Sequence, residues 1–368
     1  MKIHQVIIDV IERDSGSLKV NDERSYIGGK TTQGVLRILT DEGLQGNAFI
    51  GEQAANSSDR MKIINEQIVP KILGMDVENR EWLWDQVKSG YGLPHTSWAP
   101  VDVALWDLAG KIYEKPIYRL LGGKNVEIPL YSTFPPRHKD VEGFIKEAEQ
   151  LLSEGCYAYK IHPGKLSIED TIQVVEGVRN LVGEKMTLML DENHGYSLEE
   201  ALRVGNALDD NLYYWFEDPV DPSNLRAIKR LHESLMTPIN MSDSDTFLIK
   251  EAANFLGQDL IGMVRGTTRK LGITGLVKLC AIADSFGVNC EIGGAANSLM
   301  NAANLHVTAS VSNNTFFEYW RPEHIHQWGV ENEISITSDG KLSLPDQSGL
   351  GLKLDEEWIS YHKVATLD

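Results

Sequence analysis

Three acidic residues, Asp191, Glu217 and Asp243, stand at intervals of 26 residues along this chain. Each closes or closely follows a short apolar run: 186–190 ahead of Asp191, 212–216 ahead of Glu217, and 237–241 ahead of Asp243. A strand, a loop, a helix and a second loop fill such an interval, so the spacing is that of a repeating βα unit. In a parallel sheet of such units the three carboxylates fall at the C-terminal ends of successive strands and face one mouth. Three hard oxygen ligands gathered there suit Mg²⁺ or a similar cation.

The surrounding chain supports the repeat. From about residue 126, strand-like runs end near Tyr131, His162, Asp191, Glu217, Asp243, Arg265, Glu291 and Glu318. Amphipathic stretches lie between them, over 140–154, 167–182, 197–208, 223–234, 247–256, 272–286 and 297–310. Eight strands with seven helices describe an α/β protein with a (β/α)₈-type, modified TIM barrel whose last helix is lost or replaced. The first part of the chain is segregated instead. Strands are expected over 1–12 and 33–50, separated by a polar, glycine-containing stretch over 14–30. Helical periodicity follows over 53–72, 77–89 and 98–113. That order predicts an α+β capping domain, closed by the glycine-marked stop Leu120-Leu121-Gly122-Gly123. The expected division is 1–125 for the cap, 126–323 for the barrel carrying the chemistry, and 324–368 for a C-terminal segment that returns to the cap.

Charge narrows the partners. A formal net charge of −18 over 368 residues, with no basic stripe, argues against nucleic acid and anionic membrane surfaces. A negative protein that handles a negative substrate needs a local cation, which a bound metal supplies. The three cysteines, Cys156, Cys280 and Cys290, lack CxxC spacing and read as reduced core residues. The first ten residues alternate like a strand, without the apolar core of a signal peptide, and no window approaches 18 uninterrupted apolar residues. A cytoplasmic location is the expectation.

Alternation along the run Ala158-Tyr159-Lys160-Ile161-His162 puts Lys160 and His162 on one face. At a barrel mouth His162 serves as a general base near neutral pH, and Lys160 as the electrostatic partner of a carboxylate or enolate. The bland alternative has Lys160 solvated and His162 capping the Pro163-Gly164 turn. Beside the carboxylate series the catalytic reading is preferred. Asn193 shares a strand face with Asp191 and is a candidate substrate contact, as are Arg265, suited to a carboxylate, and Glu318. Arg269 and Lys270 read equally as an exposed basic loop. Trp82, Trp84, Trp98 and Trp106 stand at helical spacing and read as core. Gly293-Gly294-Ala295 lacks a nucleotide-binding fingerprint.

On these residues the chain resembles the enolase superfamily, in its mandelate racemase/muconate lactonizing branch. Val101-Asp102-Val103-Ala104-Leu105-Trp106-Asp107-Leu108-Ala109-Gly110-Lys111, followed by Leu120-Leu121-Gly122-Gly123, looks like that family's capping-domain signature. The acid series is similar to its Mg²⁺ site, and Gly272-Ile273-Thr274 to its sixth-strand helix entry. The resemblance implies one Mg²⁺ per chain on Asp191, Glu217 and Asp243, a small carboxylate substrate, and abstraction of its α-proton to give an enediolate. Closed homo-oligomers are expected for the fold.

Departures from the family bear on the reaction. The usual second-strand Lys-x-Lys is here Lys160-Ile161-His162. The seventh-strand histidine of many relatives falls at Gly293, and its sixth-strand acid near Gly266 or Thr267. A two-base racemisation needs an acceptor on each face of the α-carbon, whereas dehydration needs one group that takes the proton and returns it to a leaving hydroxyl. The preferred expectation is therefore dehydration of an aldonate or aldarate to a 2-keto-3-deoxy acid. The alternatives are a racemase or epimerase with an unrecognised second base, and a catalytically silent sugar-acid or metal-binding homologue. Specificity is expected in the cap loops 14–30 and 91–97, with Tyr26 and His95 among their polar contacts.

Overall fold

Eight parallel strands, none longer than six residues, stand at the centre of the computed structural model, which describes residues 1–19, 25–51, 56–90, 94–124, 126–241, 249–295 and 297–368. They are β4 (Ile128–Thr133), β5 (Ala158–Ile161), β6 (Thr187–Asp191), β7 (Phe216–Glu217), β8 (Ile239–Met241), β9 (Met263–Gly266), β10 (Asn289–Ile292) and β11 (Phe317–Trp320). Each hydrogen-bonds to its successor from β4 to β10, and β11 returns to pair with β4. Between β10 and β11 the ring lacks a ladder, and a bond from the Cys290 N–H to the Asn313 carbonyl (2.7 Å) spans the seam. The result is a nearly closed eight-stranded barrel.

Strands covered on both faces read as continuous apolar runs, and Leu188, Met189 and Leu190 of β6 are fully buried. Seven helices cover the outside: Val141–Ser153, Ile168–Val182, Leu198–Asp210, Leu225–Ser234, Ile249–Gly257, Thr268–Ser285 and Ser298–Thr308. Several begin at a side-chain cap, as the sequence dictates: Asp140, Ser167, Asn224, Thr267 and Asn297 each accept a first-turn N–H. Ser197 and Glu200 form a reciprocal capping box.

Inside the ring, period-two alternation builds two layers. Tyr131, Ala158, Met189, Trp215 and Met263 pack together as an apolar plug, with Phe316 against them. Two residues further along the same strands stand Thr133, Lys160, Asp191, Glu217, Arg265 and Glu318. One pleat therefore separates the plug from the polar mouth.

The capping sheet has the order β12-β1-β2-β3, from β1 (Ile3–Lys19), β2 (Ser25–Thr40), β3 (Gln45–Ile50) and the C-terminal β12 (Lys363–Leu367). Two sequence expectations change here. Much of 14–30 is strand, because β1 and β2 form one long antiparallel hairpin with Asp14 opposite Lys30. Its polar residues hid the alternation. The expected single strand 33–50 is two, turned at Asp41-Glu42-Gly43, where Gly43 takes φ +85°. Helical structure over 58–72, Arg80–Gly90 and His95–Ile112 follows the expected pattern. Trp84 and Trp98 are core residues, whereas Trp82 is 49% exposed and is not. No helix among the described residues is long and apolar enough to cross a membrane.

The acids of the capping signature lock the layers together. Asp102 accepts from the Thr274 N–H (3.0 Å) and Oγ1 (2.6 Å) on the barrel. Asp107 accepts from the N–H groups of Asn47 (2.9 Å) and Leu350 (2.8 Å) and from Lys111 (2.7 Å). The tail is tied back by Arg37, which bonds both oxygens of Glu356 (2.7 and 2.8 Å) and reaches Asp9 (3.2 Å).

Candidate active site

Six side chains from five strands and the residue following β5 meet at the C-terminal end of the barrel, all of them buried: Lys160, His162, Asp191, Glu217, Arg265 and Glu318. Lys160 Nζ lies 3.0 Å from Asp191 Oδ2, 3.1 Å from Glu217 Oε2 and 2.7 Å from Glu318 Oε1. His162 Nε2 is 3.0 Å from the same Asp191 oxygen, and its Nδ1 is 3.1 Å from Thr133 Oγ1. Arg265 divides its guanidinium among Glu217 (3.1 Å), Glu318 (2.5 Å) and the Tyr131 hydroxyl (2.7 Å). Gly293 is what makes room for it, since a Cβ there would stand 2.9 Å from Arg265 Nε and Nη2.

Charge is unevenly shared. Burial works against every ionised group, so each carboxylate depends on its cations. For Asp191 burial is outweighed by Lys160 and His162, which hold it well below the usual carboxylate range. Glu318 is likewise held low against burial by Arg265 and Lys160. Glu217 goes the other way. Burial, reinforced by the negative Asp191 and Glu318, pushes it well up despite Arg265 and Lys160. Three carboxylates face one lysine, one arginine and the imidazole of His162, so the cluster lacks one positive charge whenever that ring is neutral. A proton or a further cation fits there.

The donors suit a metal ion. Carboxylate oxygens of Asp191, Glu217 and Asp218 lie within 4.8 Å of one another, and all three residues are buried. These are hard oxygen donors of the type Mg²⁺ takes. The amide of Asn240, fully buried on the rung beside Glu217, makes no hydrogen bond to the described residues, which leaves further polar capacity at that level.

The sequence expectations fare unevenly. The period-two argument brings Lys160, His162, Asp191, Glu217, Arg265 and Glu318 together. Asp243 lies outside the described residues, as do parts of the cap loops 14–30 and 91–97. Asn193 does not share the inward face with Asp191. The strand ends at Asp191, and Asn193 and His194 turn left-handed (φ +58° and +70°), leaving Asn193 exposed. Its N–H caps Asp191 Oδ1 at 3.1 Å. Glu291 stands apart from the mouth, bonded to Asn289 (3.0 Å), Asn314 (2.8 Å) and the N–H groups ahead of β11. Asp218 was missed. It follows Glu217 with φ +44°, and an acid beside an acid in a Glu-Asp-Pro turn was the available signal. Tyr131 and Thr133 were missed as well, although both lie on the inward face that the alternation of β4 defines.

Comparison with known proteins agrees with this geometry. Residues 143–358, more than half of the chain, match the description "Enolase C-terminal domain-like", and residues 27–122 match "Mandelate racemase / muconate lactonizing enzyme, N-terminal domain". The chain belongs to the mandelate racemase/muconate lactonizing branch of the enolase superfamily. An arabinonate dehydratase of Saccharolobus solfataricus is 28% identical over 358 residues, covering 94% of this chain and 95% of its own length. An L-Ala-D/L-Glu epimerase of Clostridium acetobutylicum is also 28% identical, over 75% of this chain and 77% of its own. A D-glucarate dehydratase of Agrobacterium tumefaciens, crystallised with magnesium, superposes with a TM-score of 0.85 at 24% identity, covering 99% of this chain and 100% of its own. Within this family of enzymes the chain stands among both dehydratases and epimerases.

Proposed function

We propose that this protein dehydrates a sugar acid, an aldonate or aldarate, to a 2-keto-3-deoxy acid, with one Mg²⁺ held by Asp191, Glu217 and Asp243 and Asp218 beside them. A bound divalent ion would supply positive charge to the substrate carboxylate and to the enediolate that follows. The observation that carries the reading is one shared atom: His162 Nε2 and Lys160 Nζ both lie 3.0 Å from Asp191 Oδ2. A base and a cation thus converge on the same ligand oxygen.

The chain's residues divide the work. His162 takes the α-proton through Nε2, the nitrogen that faces the carboxylates. The C–H electron pair moves into the bond between the α-carbon and the carboxylate carbon, giving the enediolate, and Lys160 balances the charge that develops on its oxygens. The proton on His162 then goes to the β-hydroxyl as its C–O bond breaks, and water leaves from the face that lost the proton. The enol product tautomerises to the 2-keto acid. Asn193, although exposed, remains available to the distal end of a long substrate, and Arg265 and Glu318 frame the far wall.

One-base chemistry is favoured over racemisation by what stands opposite. The space beside Gly293 is filled by Arg265, and a guanidinium does not act as a proton acceptor near neutral pH. The sugar-acid dehydratases among the relatives agree with this choice. Incubating a library of aldonates and aldarates with protein and Mg²⁺ tests it. At least one acid is expected to yield a 2-keto-3-deoxy product. Exchange of the α-proton without loss of water would favour epimerisation, and no reaction with any acid would defeat the enzymatic reading.

A further inference from the structure

Two residues with no part in the reading above hold the imidazole of His162. Thr133, fully buried at the end of β4, has its Oγ1 3.1 Å from the Lys160 carbonyl and 3.1 Å from His162 Nδ1. A hydroxyl carries a single proton. Donated to the carbonyl, it leaves Thr133 Oγ1 only lone pairs to offer, so His162 must place an N–H at Nδ1. In the neutral ring Nε2 is then bare, and Nε2 is the nitrogen that faces Asp191. On its flank lies the indole of Trp320, two residues beyond Glu318 on β11. The ring centroids are 5.3 Å apart and the planes 32° from parallel. Trp320 is itself backed by His326, at 5.6 Å and 32°. Gly294 is the other half of the fit, because a Cβ there would collide with the indole.

We propose that Thr133 and Trp320 are positioning residues for His162, Thr133 selecting the tautomer with a bare Nε2 and Trp320 fixing the ring plane. The inference rests on the reading of His162 as the base. A neutral histidine has two tautomers, and a proton on Nε2 would leave no acceptor facing the α-carbon. Asp191 Oδ2, an acceptor 3.0 Å from Nε2, pulls toward a proton on Nε2 until a divalent ion, which that oxygen would help to hold, takes it up. Hydroxyl and indole are held by the barrel itself, so the ring they set survives rearrangement among the carboxylates.

The test combines kinetics with a spectroscopic signature that needs no substrate. In Mg²⁺-loaded protein labelled with ¹³Cε1 and ¹⁵N histidine, His162→Asn identifies the resonances of His162. The wild type is expected to show a protonated Nδ1 in the neutral ring and a Cε1–H displaced upfield by the indole. Thr133→Val should lose the tautomer preference and Trp320→Leu the displacement. Each should lower kcat by about tenfold or more with KM nearly unchanged, a fraction of the ~10²–10⁴-fold that a general base contributes. Thr133→Ser and Trp320→Phe should restore most of the rate. Gly294→Ala should resemble Trp320→Leu. Full kcat in Thr133→Val and Trp320→Leu, with His162→Asn inactive, overturns the positioning role alone. Full turnover by His162→Asn overturns the proposal together with the base reading. Unchanged ¹⁵N shifts in Thr133→Val overturn the tautomer argument whatever the kinetics.

Discussion

At the scale of single residues, the site is a small set of charges in which every member depends on the others. Arg265 shows this most clearly, since its one guanidinium serves two buried carboxylates and a buried phenol. Replacing it by methionine would keep most of the volume but leave Glu217 and Glu318 short of a cation. A buried charge that loses its partner costs about 3–5 kcal/mol. Arg265→Met is therefore expected to lower the unfolding free energy by that order at neutral pH, and denaturant titration measures it. A loss below about 1 kcal/mol would mean that solvent already reaches these groups.

Much at this scale was legible in the sequence, because pleat alternation says which side chains of a strand share a face. It carried Lys160 to His162 and Asp191 to the mouth. It failed at Asn193, where two consecutive left-handed residues end the strand geometry. It was silent on Thr133 and Trp320, whose importance comes from neighbours on other strands and not from their own residue type.

At the scale of elements, the contact between the cap helix His95–Ile112 and the barrel helix Thr268–Ser285 depends on one acid and one glycine. Gly272 adopts φ +65° inside that helix, and a Cβ there would strike the Asp102 carboxylate. Only glycine combines that backbone with that clearance. The closeness has a consequence for pH. Burial raises the Asp102 carboxyl from 3.8 to about 6 despite its hydrogen bonds from Thr274. A carboxyl raised on folding holds its proton more tightly in the native state. Its stabilising contribution is complete below about pH 4 and is lost as pH rises through 6. A rise from 3.8 to about 6 corresponds to about 3 kcal/mol. The stability of the wild type relative to Asp102→Asn is expected to fall by that order between pH 4 and pH 7. Urea unfolding of both proteins across the range tests this, and a flat difference would contradict it. The signature residues were legible as a signature, but their structural role was not. Nothing in the spacing of Asp102 and Gly272 says that they touch across two layers.

At the scale of the whole molecule, the barrel carries the buried polar cluster, and the C-terminal strand joins the sheet of the cap. The repeat of βα units was legible because it is periodic. The long hairpin of β1 and β2 was not, because the polar residues of 14–30 give no apolar alternation. The acidic groups gathered at the mouth, in a chain of net charge −18, would favour a divalent ion there. An ion that binds only the native state stabilises it by about 2.7 kcal/mol at a hundredfold excess over Kd. Saturating Mg²⁺ is expected to raise Tm by a few degrees in wild type and not in Glu217→Gln. Equal shifts in both would place the ion elsewhere.

The claim on which the mechanism turns is that His162 removes a proton from the α-carbon of a metal-dependent substrate. Proton NMR of candidate sugar acids in D₂O with protein and Mg²⁺ reads it directly. The wild type should convert one acid to a 2-keto-3-deoxy product carrying solvent deuterium at C3, with chelator abolishing the reaction and His162→Asn slowing it by about 10²–10⁴-fold. Undiminished turnover by His162→Asn, or turnover indifferent to chelation, would contradict the account.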